Sequence, residues 1–555
     1  MIFDRLKRLE EIRQPYEEMV DEILRFVTHS RQTIHAQKGE KTGKDVYDGV
    51  ALSALNLLVD GMVGYLCSRN LRWFRFRLPE IGRRGWEAYR SIVESPAVGR
   101  WLQACEDAQY AALARSNYYD VVTEFIRDGA SVGTAHMFIE EDVTNGRVVF
   151  TVPHFRECYI AENVYGSVDT VYRKYHLTLR QLVQKWGEDK IRSVVDDFDR
   201  KFEKNPYQEM EVVHAVYPRE DNDGPDAAGN RKPIASVWAL VDGKKIIDES
   251  GYDSMPVVSW RWRKNSGEWY GRSPAWDAYV DILTANQQAR SNLVAAHKMV
   301  EPPMVAPSDL RGQVNVGPKG WTFVDGDLGM RAPRPVITGI QLPFGLEAMK
   351  RTEQSIRDHF ATDFFLMLTM AAQNKVDLTA TQVVEMMGEK AAVLSTRVGM
   401  LQSEALNRIH DRVFDIEYRA GRMPEAPPEV IELYGGRLEV EYIGPLAQAQ
   451  MRLSKARSIQ AGISLMAQLA QIAPQALDMI DFDGAILEAL DASGFPRGYV
   501  RDRKQIEAIR QQRHAMEQQQ QLAEALPAMA KAYRLAGQKA QPGSLAEALT
   551  GVSGG

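Results

Sequence analysis

The chain has 555 residues, 45% of them hydrophobic and 26% charged, and a net charge of −6. That length exceeds one ordinary core and implies three or four structural regions, with the composition of a folded soluble protein. The charge excludes a tight, strongly basic nucleic-acid binder, though not a wall that a polyanion slides past on few phosphate contacts. The longest uncharged run, Ser458–Leu477, holds four Gln, two Ser and a Pro, too polar for a good transmembrane helix, so no membrane association is expected. The opening Met1-Ile2-Phe3-Asp4-Arg5 lacks the apolar run of a signal peptide. Cys67, Cys105 and Cys158 fit neither a zinc site nor a disulfide framework, so a cytosolic product with free thiols is expected.

In chain order, Ile12, Tyr16, Met19, Val20, Ile23, Leu24 and Val27 recur at three and four and predict a helix. A polar break follows at Gln37–Asp45, then helices over Val50–Leu66 and about Val98–Ser116. Asn145-Gly146 lies between the extended runs His136–Glu140 and Val148–Val152, and Asp242-Gly243 between Val237–Val241 and Lys244–Asp248. Both predict antiparallel hairpins whose two turn residues take positive φ. Val257–Arg263 reads as a strand with alternating aromatics. Ser273 is a good N-cap and Pro274 suits the first helical position. That helix should reach about Met299, with Trp276, Tyr279, Ile282, Leu283, Leu293 and Val294 as its apolar side. Residues 301–343 hold seven prolines and six glycines, the composition of a small module of short strands and turns. A second helix runs from near Phe344 to about Phe365.

After a break at Ala371–Asp377, Thr379 and Gln382 fit a capping box that opens a helix to about Tyr418. Forty residues would span roughly 60 Å, with Gly388 and Gly399 permitting a bend. Arg437–Ile443 alternates as a strand, helices return over 446–492, and the last sixty residues are helix-prone before fading into Gly and Ser. The final twenty are expected to be mobile.

No constellation for catalysis survives inspection. Gly39-Glu40-Lys41-Thr42-Gly43-Lys44-Asp45 has the outline of a phosphate loop. It is one residue short, carries Asp45 where Ser or Thr would hold magnesium, and follows no strand, so it reads as a solvated loop. Gly271-Arg272-Ser273 lacks the second glycine of a nucleophile elbow. The ten histidines show no zinc spacing. Asp325-Gly326-Asp327 has Val336 where a calcium loop needs Glu, and Asp196, Asp197 and Asp199 read as a solvated acidic face. Arg72-Trp73-Phe74-Arg75-Phe76-Arg77 reads as a packing strand, Phe74 and Phe76 inward, Trp73, Arg75 and Arg77 outward. The expectation is a non-enzymatic protein without cofactor or metal.

Four blocks stand in a recognisable order. The first is Trp269-Tyr270-Gly271-Arg272-Ser273-Pro274 with Asp281-Ile282-Leu283-Thr284-Ala285-Asn286 and Pro302-Pro303. The second is Leu378-Thr379-Ala380-Thr381-Gln382-Val383 and the helix after it. The third is Val440-Glu441-Tyr442-Ile443-Gly444-Pro445-Leu446-Ala447-Gln448-Ala449-Gln450. The fourth is Asp481-Phe482-Asp483 with Gly494-Phe495-Pro496. Together, over roughly residues 10–515, they resemble the head-to-tail connector, or portal, proteins of short-tailed bacteriophages. Gln382 departs from the acidic residue that many relatives have there.

The resemblance implies an α+β, mainly helical subunit with wing, two-helix stem, small β-rich clip, helical crown and helical C-terminal tail. Residues 1–270 would be the wing, 271–300 and 344–366 the stem helices, and 301–343 the clip. A tunnel loop would occupy 367–378, a long wing helix and returning strand 379–445, and the crown 446–510. The tail, 511–555, would be a barrel helix that then becomes disordered. About twelve copies would form a closed ring around a channel for double-stranded DNA, with a charge of roughly −70 that discourages sticking. The large terminase subunit would dock on the ring for packaging and a tail or adaptor protein later, with major capsid and scaffold protein around the wing. The place implied is the unique portal vertex of the virion, after synthesis in the host bacterial cytoplasm. Arg290, Lys298, Lys350, Arg351 and Arg357 on the stem, and Asn374 and Lys375 on the tunnel loop, are the candidate channel contacts. For each charge singly, a solvated or ion-paired role is preferred. The alternative is another virion structural protein, such as a tail adaptor or ejection protein, against which a stem around a compact module argues.

Overall fold

The computed structural model describes residues 2–29, 43–79, 95–219, 232–300, 304–305, 334–335, 342–365, 398–434, 438–443, 484, 486, 506–513 and 515–516. Most of the clip, the tunnel loop with Asn374 and Lys375, the capping box at Thr379, most of the crown, most of the tail, His35 and Asp325–Asp327 lie outside the described residues.

The architecture is α+β and mainly helical, as the sequence implies. Helix α1 spans Ile2–Phe26, starting ten residues before the stripe that announces it. Leu6, Leu9, Val20, Ile23 and Leu24 are buried on one side. Pro15 removes one backbone donor within it. Helix α2, Val50–Leu66, matches its expected span. Strand β1, Phe74–Arg77, is followed by α3, Pro96–Arg115, and α4, Tyr118–Ser131.

Strands β2, Thr134–Asp142, and β3, Arg147–Thr151, form the first expected hairpin. Its loop runs over residues 143–146, and of the two turn residues Gly146 alone has positive φ (61°). The expectation of two positive φ angles fails because the loop is four residues long, not two. Strands β4, Cys158–Glu162, and β5, Val168–Thr178, lead to three short helices: α5, Leu179–Trp186, α6, Glu188–Val194, and α7, Phe198–Lys204. Strands β6, Glu209–Pro218, β7, Ile234–Leu240, and β8, Lys245–Tyr252, then β9, Val257–Arg261, follow. The β7–β8 turn takes positive φ at Gly243 and Lys244, not at Asp242. Strand β9 ends two residues earlier than expected, and all five of its residues are buried.

A five-stranded antiparallel sheet runs β4-β5-β6-β7-β8. Because side chains alternate along a strand, one face offers Tyr172, Val213, Ala215 and Val237 to Leu6 and Leu9 of α1. The other offers Met210, Val212, Trp238 and Leu240 to α5–α7. A three-stranded sheet runs β3-β2-β9. After a helical stretch from 398 with a π turn at Gln402–Leu406, helix α11 spans Asn407–Arg419. Helix α12, Pro428–Tyr434, and strand β12, Glu439–Tyr442, complete the body, with β12 antiparallel to β1.

The packing reading of 72–77 holds for Phe74 and Phe76, both buried, while Arg75 and Arg77 pair with Glu441 and Glu439 across the ladder. Trp73, expected outward, is buried. It precedes the ladder, so strand alternation does not govern it, and it packs among Phe74, Tyr118, His410 and Tyr442. The acidic cluster is solvated, with Asp196 against Lys245 and Asp199 against Arg192. All three cysteines are free and buried. Among the described residues, no helix is long and apolar enough to cross a membrane, and no group of three or more His, Cys, Asp or Glu is arranged to hold a metal.

Three histidines are fully enclosed. His136 bonds Ser259 at 2.9 Å, His214 bonds Ser236 at 2.9 Å and stacks on Trp238, and His410 meets Gln109 at 3.1 Å. Burial disfavours their charged form, lowering His136 and His410 to about 3 and His214 well below its ordinary value. In the unfolded chain each titrates near 6.5. The stability gained by keeping them neutral is complete above about pH 6.5 and is lost as pH falls toward 3. Denaturant titrations should therefore show a loss of about 2 kcal/mol per histidine between pH 7 and pH 5, and His410→Gln should flatten the slope by one histidine's share.

Candidate functional site

The segment Trp269–Pro274, the first block of the sequence pattern, is a knot of close contacts from which a helical hairpin springs. Tyr270 is buried against Tyr16 and Phe155, and its hydroxyl accepts the Ile160 N–H at 3.2 Å. Gly271 donates its N–H to Thr134 Oγ1 at 2.8 Å. A Cβ on Gly271 would overlap the carbonyl of Gly133, and one on Gly133, at φ +99°, would overlap the carbonyl of Gly271. Only glycine lets two backbones approach this closely. Arg272 grips Glu268, and Arg263 grips Asp277 with two bonds at 2.8 and 3.0 Å.

Ser273 caps the next helix as expected, accepting the Trp276 N–H at 3.2 Å, and its own hydroxyl donates to Ser131 O at 2.6 Å. Trp276 Nε1 donates to Val132 O at 3.0 Å. The helix is broken once: α8 spans Pro274–Asp277 and α9 Tyr279–Val300. Two short strands, Met304–Val305 (β10) and Arg334–Pro335 (β11), pair antiparallel beyond it. Helix α10, Leu342–His359, returns alongside α9. Asp281 accepts the Ser355 hydroxyl at 2.7 Å and lies 3.6 Å from His359 Nε2. Further out, Gly345 passes so close to Asn292 that a Cβ would overlap its amide.

The returning helix is moored by Ile356, Phe360, Phe364 and Phe365, all buried. A Cβ on Gly61 of α2 would overlap the Phe365 ring, and Tyr65 stacks on that ring at 6.2 Å. Burying four such side chains contributes on the order of 8 kcal/mol, far more than the hairpin's exposed ion pairs. The other end is bare. Leu293 and Val294, expected on the apolar side of the helix, are 49% and 46% exposed, and Met299, Val300, Phe344 and Leu346 are exposed too. No described residue covers them.

The five basic candidates on the hairpin do not form one patch. Arg351 pairs with Glu347 at 2.7 Å and Arg357 with Glu353 at 3.4 Å, each one turn back. Arg290 lies 5.7 Å over the Tyr47 ring. Lys298 and Lys350 are exposed and ion-paired to no described residue. The five are matched by Asp281, Glu347, Glu353, Asp358 and Asp363, so residues 279–300 and 342–365 carry no net Lys/Arg/Asp/Glu charge. The sequence reading missed the ties between hairpin and body, above all those of Asn286, which the family pattern includes without naming a partner for it.

The model of the bacteriophage head-to-tail connecting protein family matches residues 2–500, and the chain belongs to that family. It is 30% identical over 490 residues to the portal protein of Salmonella phage epsilon15, covering 87% of this chain and 84% of that protein. It is 29% identical over 500 residues to the probable portal protein of Bordetella phage BPP-1, covering 88% and 85%. Among solved structures, the neck of an empty GTA particle aligns at TM-score 0.32 and 9% identity over 75% of this chain and 86% of that one, a likeness too slight to carry an argument.

Replacing Gly133 by Ala should destabilise the protein by about 3 kcal/mol, combining a left-handed backbone with an overlap that cannot relax. Urea unfolding of Gly133→Ala against Ser131→Ala, which removes no such freedom, checks it.

Proposed function

We infer that the chain is a portal subunit, a structural part of the phage virion at the junction of head and tail, and that copies of it form a ring around the path of double-stranded DNA. Membership of the connecting-protein family over residues 2–500 carries this reading. The hairpin supports it, since a two-helix stem with an uncovered apolar flank is what side-by-side copies in a closed ring require. Its zero net charge suits a passage that must not hold a polyanion.

In this reading residues 271–300 and 344–366 are the stem, 301–343 the clip, 1–270 with 379–445 the wing, 446–510 the crown and 511–555 the tail. About twelve copies close the ring at the unique vertex of a capsid assembled in the host cytoplasm. The large terminase subunit, which supplies the ATP-driven motor, docks first, and a tail or adaptor protein takes its place. Major capsid and scaffold protein contact the wing. Lys298 and Lys350, and Lys375 with Asn374 on the tunnel loop 367–378, touch phosphates transiently and without sequence preference. Arg290, Arg351 and Arg357 have structural partners and contribute less. No observation favours a tail-adaptor or ejection protein.

Light scattering and negative-stain imaging of the purified chain should show rings with a central hole near twelve subunits. The double variant Leu293→Asp/Val294→Asp should stay monomeric with an unchanged unfolding midpoint, because it charges a surface already exposed in the single chain. A compact wild-type monomer at every concentration, even with scaffold protein present, would count against the ring. In assembled particles Lys375→Ala should lower DNA retention; unchanged packaging and retention would remove the loop contact from the scheme.

A further inference from the structure

Residues 43–49 lie across the first helix of the hairpin as a strap. Asn286 of α9 offers both ends of its side-chain amide to it. Its Oδ1 accepts the Tyr47 N–H at 2.6 Å, and its Nδ2 donates to the Asp45 carbonyl at 3.0 Å. This is the pairing one strand residue makes with its neighbour, here made by a side chain. One turn further out, the Arg290 guanidinium lies over the Tyr47 ring.

The strap is fastened to the body at both ends. The Asp45 carboxylate meets Arg25, in the last turn of α1, at 2.5 Å. Glu22, one turn back on α1, accepts the Tyr279 hydroxyl at 3.3 Å. At the other end Asp48 accepts the Val50 N–H at 2.7 Å and starts α2. Seven residues thus join α1, α2 and α9. Beyond Asn286, the polar side-chain contacts of α9 among the described residues reach only Tyr47 and the returning helix α10. Among the described residues the strap is therefore the outermost polar tie between hairpin and body.

We propose that the strap 43–49 couples the stem to the wing and that Asn286 is the coupling residue, passing displacement of the first stem helix to α1 through Asp45 and Arg25 and to α2 along the strap. The proposal rests on the portal reading for the names stem and wing. The tie is built to yield. Its bonds are polar and solvent-accessible, so water replaces them at little loss, whereas the phenylalanines at the base of α10 have no substitute partner in water. The arrangement is a fixed pivot with a releasable catch further along the arm.

The test is hydrogen exchange on the full chain with Asn286→Ala and Asn286→Asp, joined to imaging and to the DNA content of assembled particles. Asn286→Ala should raise the exchange rate of the Tyr47 amide at least tenfold and also speed exchange over Ile23–Phe26 of α1, with rings still formed. Asn286→Asp keeps an acceptor for Tyr47 but loses the donor to Asp45. It should retain most of the Tyr47 protection while freeing α1. Particles carrying Asn286→Ala should package a different length of DNA from wild type. Unchanged Tyr47 exchange would overturn the strap. A freed Tyr47 with unchanged α1 and α2 and wild-type DNA content would reduce the strap to a passive contact and overturn the coupling. Exchange reads the strap in the free chain and in rings alike, so failure of the wild-type chain to form rings would count against the portal reading alone.

Discussion

The body of the subunit turns on one guanidinium. Arg261, at the end of β9, is almost wholly buried. Its backbone N–H and its Nε and Nη2 go to Glu404, at 3.0, 3.3 and 2.5 Å, and its Nη1 goes to Glu162. Its remaining donors reach the carbonyls of Gly166 and Trp269. A buried cation is tolerated only when every donor is met and its charge matched, and here the partners come from four separate stretches of chain. The end of β4, the β4–β5 turn, the root of the hairpin and the helical stretch 398–419 are held in one geometry by that requirement. The π turn at Gln402–Leu406 belongs to the same device, since Glu404 lies within it and one-turn bulges of this kind often serve to aim a side chain.

Around this centre the molecule divides by burial. Helices cover both faces of the five-stranded sheet, and elsewhere in the body the Glu417 carboxylate is held between Arg115 and Arg422. The hairpin is the opposite, fixed hard at its root by glycine contacts and phenylalanines and bare along its shaft. A rigid base with an incomplete arm is the arrangement expected of a subunit whose stem is finished only by its neighbours. At that root Tyr270, Gly271, Arg272 and Ser273 each meet a partner that another side chain would lose.

Much of the secondary structure was legible where periodicity was clean. Val50–Leu66, the two hairpins and the Ser273–Pro274 start were read directly. Strands β4 to β6 and helices α4 to α7 were not. Val212, Val213, Ala215 and Val216 of β6 are all buried because the sheet is covered on both faces, so no two-residue alternation appears. Helices α5 to α7 have seven or eight residues, about two turns, too few to declare a stripe. The long-range ties were invisible for another reason. Glu404 and Arg261 are 143 residues apart, and either alone reads as a surface charge. Asn286 likewise gives no hint of Asp45 and Tyr47, 241 and 239 residues away. The family pattern was readable because it is a matter of order, which one-dimensional text preserves.

The burial of the three thiols has a consequence for a structural protein of a virion. The thiolate is the form that oxidants and disulfides attack. Burial pushes Cys67 and Cys105 up to about 12 and raises Cys158 as well, so thiolate is scarce at neutral pH, and none of these three sulfurs faces solvent. In aerated surroundings none of the three is exposed to form a mixed disulfide or climb the ladder to sulfenic acid. At these three positions the subunit keeps the chemistry with which it folded.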